Sequence, residues 1–64
     1  MGVMIGLDDI VKIDGIVGYV DFIDADIIIL VDDNDREHRI YRHNIQTVEI
    51  LQRNNTNELA RIEL

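Results

Sequence analysis

The side chains that do covalent or acid–base chemistry are scarce in this chain, and their spacing works against them. Ser and Cys are absent, and side-chain hydroxyls come only from Thr47, Thr56, Tyr19 and Tyr41. A Ser-His-Asp or Cys-His nucleophile is therefore excluded. His38 and His43 stand an odd number of residues apart, so an alternating strand puts them on opposite faces, which argues against a shared metal or a proton relay. Carboxylates are plentiful, but acid–base work needs a pair whose pKa values are perturbed in a concave site. A chain of 64 residues offers little concave volume. The expectation is a protein with no catalytic residue, not an enzyme.

Ligand sites fare no better. In DDNDRE, the residues Asp33, Asp35 and Glu37 alternate like the start of a calcium loop. The Gly and the distal bidentate Glu of that loop are replaced by His38 and Asn44. Solvated turn residues are the simpler reading, and no metal site is expected. GIVG, Gly15 to Gly18, lacks phosphate-binding spacing and is not a nucleotide loop. No cofactor is expected. The absence of Cys also removes disulfides and thiolate metal sites.

Charge is the more informative feature. The formal net charge is -7, with a pI near 4.4. It is unevenly laid along the chain: all the Asp residues fall between Asp8 and Asp35, with Lys12 the lone base there, whereas Arg36, His38, Arg39, Arg42 and His43 crowd together with Glu37 the only acid among them. Asp suits turns and Arg suits an exposed strand edge, but a dipolar surface also favours docking onto a charged partner. Hydrophobic residues make up 47% of the chain, too many for a disordered acidic tail. No stretch approaches the ~18 apolar residues of a membrane helix, and the start lacks a signal-peptide pattern. A soluble protein of the cytoplasm is the expectation, with no membrane partner.

The elements that must position these residues read as short strands. Residues 9–14 form the first, and Asp14-Gly15 suits a type I′ hairpin turn. Residues 16–23 alternate: Ile16, Gly18, Val20 and Phe22 fall on one face, Val17, Tyr19, Asp21 and Ile23 on the other, and Gly18 is expected to mark a bulge. Asp24-Ala25-Asp26 turns into Ile27–Val31, apolar throughout and mostly β-branched, the pattern of a strand covered on both faces. Asp32 to Asp35 is a turn. Residues 36–43 alternate as a strand, His43-Asn44-Ile45 suits a single 3₁₀ turn, and residues 47–52 form a fifth strand with Val48 and Ile50 on one side. Five short strands in so few residues predict an all-β fold, a small SH3-like barrel over residues 9–52 within one domain spanning 1–64.

Residues 53–64 read as an extension of that barrel. A helix capped by Asn55 or Thr56 is slightly favoured; the alternative is a sixth strand with Ala60, Ile62 and Leu64 inward and Arg53 opposite Glu58. A five-stranded barrel has one inside, so the apolar residues on the opposite face of Ile27–Val31 and of its neighbour need cover, from the tail or from another subunit. A homo-oligomer is expected, with Tyr19, Ile23, Ile27, Ile29, Val31, Arg39, Tyr41 and Arg42 as its interface.

Two resemblances bear on function. The run VKIDGIVGYVDFIDADIIILV, then a charged turn and RIYRHNIQTVEIL, resembles small SH3-like barrel proteins encoded by tailed bacteriophages, over roughly residues 10–51. It implies a virion component or accessory binding protein, located in the host cytoplasm or virion, and no catalytic residues. GYVDFIDADIIIL and YRHNIQTV are similar in outline to the two Sm motifs, which would make Arg42 and Asn44 RNA-contacting residues. The sequence departs from that family: His43 replaces the Gly after the Arg, Asp26 replaces the Asn before the apolar strand, and the acidic composition opposes phosphate binding. The reading is therefore a non-catalytic protein–protein interaction module that self-associates, with an Sm-like RNA-binding barrel using Arg36 to His43 as the alternative.

Overall fold

The computed structural model describes all 64 residues and contains seven strands: β1 (Gly2–Gly6), β2 (Ile10–Ile13), β3 (Ile16–Ile23), β4 (Ile27–Val31), β5 (Glu37–Tyr41), β6 (Val48–Gln52) and β7 (Leu59–Glu63). The only helical element is a 3₁₀ turn at Arg42–Asn44, and no helix is long and apolar enough to cross a membrane. The chain is all-β. Five strands form an antiparallel sheet in the order β5-β4-β3-β2-β6, and β1 pairs with β7 in a second sheet.

Asp residues make the turns of the larger sheet, each by a distinct local device. Asp14 and Gly15 both take positive φ, 47° and 88°, as a type I′ turn requires, and Ile13 pairs with Ile16 across it. The Asp24 carboxylate accepts the backbone N–H of Asp26 and of Ile27, each at 2.8 Å. The Asp32 carboxylate accepts those of Asn34 and Arg36, and Asp35 adopts the left-handed region with φ 60°. Short Asx side chains substitute for missing backbone partners at such turns.

The bend in β3 does not sit where Gly18 suggests. Its register against β4 shifts between Val20 and Phe22, so Asp21 is the extra, unpaired residue. That bulge reverses the expected alternation: Phe22 turns outward and is 43% exposed, while Ile23 packs against the core. Gly18 has a different role. A Cβ there would lie 2.5 Å from the Val31 carbonyl oxygen, so β3 and β4 approach too closely for any side chain.

The tail is a strand, not a helix. The Asn55 side chain accepts the backbone N–H of Asn57 and Glu58, as an N-cap would, but the residues after it extend as β7. Helix propensity differs among residues by only tenths of a kcal/mol, whereas pairing with β1 satisfies a row of backbone groups and buries Ile62. Nor is there a hairpin with β6. Arg53 reaches Asp9 and the Met4 carbonyl instead of Glu58. Residues 1–8, read without an element, supply β1, in register Val3↔Ile62 and Ile5↔Ala60. The core comprises Ile5, Val11, Ile13, Val20, Ile28, Leu30, Ile45 and Ile62, so the small sheet closes over the inner face of the large one. Residues 53–64, read as an extension, thus contribute directly to the core.

Asp9 ties these parts together. It is completely buried and accepts from the backbone N–H of Gly6 at 2.9 Å, Asn54 at 2.6 Å and Asn55 at 2.8 Å, and from the Arg53 guanidinium at 2.9 Å. Burial alone would raise its pKa; the three backbone donors and the Arg53 charge outweigh that and hold it below the ordinary carboxylate value. A depressed folded-state pKa means that ionised Asp9 stabilises the fold above the unfolded-state pKa, and this contribution is lost as pH falls through the folded value. Asp9→Ala leaves three backbone donors and Arg53 without their acceptor. It is expected to cost about 3–5 kcal/mol of unfolding free energy, measured by urea denaturation at neutral pH; a loss under ~1 kcal/mol would refute this role.

Candidate interaction surface

With the small sheet on the inner side, the outer face of the large sheet is left bare. Strand register places its residues beside one another: Ile10 is opposite Tyr19, Tyr19 opposite Val31, Phe22 opposite Ile29, Ile29 opposite Arg39, and Ile27 opposite Tyr41. Directly paired residues share a face, so an apolar band runs from β2 to β5. Val17, Tyr19, Phe22 and Tyr41 are between 39% and 50% exposed, and Ile10, Ile27 and Ile29 are half-buried. The tail leaves most of them uncovered, because Ile62 and Ile5 go to the opposite side; Phe22 alone lies beside Leu59 and Ala60 of β7.

Of the residues expected in an interface, Tyr19, Ile27, Ile29, Arg39 and Tyr41 lie on this face. Ile23 is turned into the core by the Asp21 bulge. Val31 is 7% exposed and offers little surface beyond its place in the floor of a groove. Arg42 serves the fold: its guanidinium donates to the carbonyls of Asp24 and Arg61, the latter at 2.6 Å, clamping β7 to the β3–β4 turn. Sequence reading missed Phe22, because the bulge inverted its side, and Ile10, which precedes the register shift between β2 and β6.

Of four depressions on the molecule's surface, two have largely apolar floors. One, of about 420 Å³, is floored by Ile10, Val17, Gly18, Tyr19 and Val31 and rimmed by Asp32, Asp33 and Asp35. The other, of about 390 Å³, lies where Leu7, Phe22, Ile23, Leu59 and Ala60 meet beside Asp21, Asn55 and Glu58. No group of three or more His, Asp or Glu residues is arranged to hold a metal ion; Asp33, Asp35 and Glu37 do not converge.

The charged residues divide into committed and free. Arg53 and Arg61 form ion pairs with Asp9 and Glu63, and Arg42 holds backbone carbonyls. Arg36 and Arg39 are exposed and have no side-chain hydrogen bond or ion pair. Asp33 and Asp35 are likewise exposed, with unpaired carboxylates. Asp32 is different: its second oxygen lies 2.8 Å from His38 Nε2. That contact, with the backbone N–H groups of Arg36 and Asn34, lowers its pKa from the ordinary 3.8 to about 2. Because the folded-state value is the lower one, the stabilisation is full above pH 3.8 and disappears as pH falls toward 2.

No family model, curated protein or solved structure matches this chain. The surface itself is the guide to function. The Asp32 geometry predicts that Asp32→Asn flattens the pH dependence of the melting temperature between pH 4 and pH 2 relative to the unmodified protein. An unchanged acid limb in thermal melts across that range would show that the Asp32 carboxylate contributes nothing to acid stability.

Proposed function

We propose that this protein is a non-catalytic protein–protein interaction module that self-associates through the outer face of its five-stranded sheet. The observation that carries this reading is the band of Ile10, Val17, Tyr19, Phe22, Ile27, Ile29 and Tyr41, most of which the rest of the chain leaves uncovered. Apolar surface of that extent, on a chain too small to bury much of its own surface, is the usual mark of an interaction site. Tyr19 and Tyr41 suit the role of anchors, offering a large apolar body with a polar tip. The resemblance to small phage-encoded SH3-like barrels supports an accessory or virion role. The engagement of Arg42 with backbone carbonyls weighs against its use as an RNA contact, leaving Arg36 and Arg39 as the only free arginines for phosphate.

Native mass spectrometry of the purified protein, before and after nuclease treatment, tests the reading. The expected result is a discrete multimer of 7.4 kDa units with no nuclease-sensitive mass. Tyr19→Asp should shift that population to monomer while the melting temperature of the monomer unit is kept, because Tyr19 lies outside the core. A monomer at micromolar concentration would overturn self-association, and bound mass removed by nuclease would overturn the non-nucleic-acid reading.

A further inference from the structure

Two complementary patches share the exposed face. At one end, the acid-rimmed groove presents Tyr19 and Val17 beside the free carboxylates of Asp33 and Asp35. Beyond the β4–β5 turn that carries this rim, β5 presents exposed Arg39 and Tyr41, paired in register with Ile29 and Ile27. None of these three charged groups forms an ion pair within the chain.

We infer that the groove is a receptor for the β5 edge of a second copy, so that two copies pack face to face about a two-fold axis, the Arg39–Tyr41 edge of each seated against the Asp33–Asp35 rim of the other. This rests on the proposed self-association and specifies its geometry. The two-fold form follows from placement: donor and receptor lie on the same face, so one antiparallel apposition satisfies both at once, as in any isologous contact. Charge complementarity selects the second copy as occupant. A chain of formal net charge -7 repels its own kind unless local patches of opposite sign meet. The apolar floor supplies the buried area and the rim charges set register and encounter rate.

A charge-swap experiment tests this. Asp33→Lys is made on the rim; Asp35 is left alone because its positive φ of 60° disfavours a long side chain. Arg39→Glu is made on β5; Arg42 is left alone because it clamps β7. Dissociation constants are measured by analytical ultracentrifugation, and far-UV circular dichroism with melting curves verifies that each variant is folded. Each single variant is expected to weaken the dimer on the order of ten-fold or more, since like charges then face each other, and an equimolar mixture is expected to recover a heterodimer near the original affinity. Dimers that ignore both substitutions, or a mixture that stays dissociated, would overturn the charge-paired geometry while leaving self-association standing. An open ladder of multimers would overturn the two-fold form. A monomeric unmodified protein would overturn the function on which it rests.

Discussion

The fold hangs on one buried carboxylate. Asp9 sits at the junction of the β1–β2 turn and the segment after β6, and its two oxygens accept four donors from residues far apart in the chain. An unpaired carboxylate in that position would be very costly. Ionised, it is compatible with the interior only when Gly6, Arg53, Asn54 and Asn55 are all in place. The same constraint therefore fixes where β1 ends, how β2 begins and how the chain leaves β6 toward β7. Arg53 reinforces it by also donating to the Met4 carbonyl at 2.8 Å.

From that junction the remaining architecture follows. With the residues after β6 held against Asp9, β7 can run beside β1, and the Arg42 guanidinium secures it further along through the Arg61 carbonyl. The two-stranded sheet then covers the inner face and brings Ile5 and Ile62 to the core. Its position decides which apolar residues remain uncovered. Because the tail is committed to the inner side, the band from Ile10 to Tyr41 stays on the surface, and the proposed function depends on that outcome more than on any single side chain.

Acidic residues serve three separate purposes here. Asp24 and Asp32 use their carboxylates on nearby backbone N–H groups and shape turns, while the Asp14 carboxylate accepts the backbone N–H of Gln46 and Thr47, over 30 residues along the chain. Asp9 does the same across long sequence distances. Asp33 and Asp35 form no such bond and face solvent at the rim of an apolar groove. Part of the negative charge is thus structural, and the rest, Asp33 and Asp35 included, is exposed to solvent. The arginines divide in the same way, Arg42 and Arg53 inward to backbone and carboxylate, Arg36 and Arg39 outward.

The local elements were legible in the sequence. Ile16–Ile23 and Ile27–Val31 have the same bounds as β3 and β4, and the Asp-Gly turn, the Asp-rich turns and the 3₁₀ turn lie within a residue of their expected places. Each depends on near neighbours: β-branched runs, Asx bonding and positive φ are properties of a few adjacent residues. What lay beyond reach was pairing over distance. Gly2–Gly6 looks like nothing until Leu59–Glu63 lies beside it, and the tail could not be told from a helix while that partner was unknown. The Asp21 bulge escaped because register is set between two strands, and a one-residue shift moved Phe22 outward and Ile23 inward. Asp9 read as an ordinary strand flank, since burial belongs to the assembled fold. Local chemistry specified the strands and turns; only the tertiary structure decided which ends met, which face closed, and which was left open to a partner.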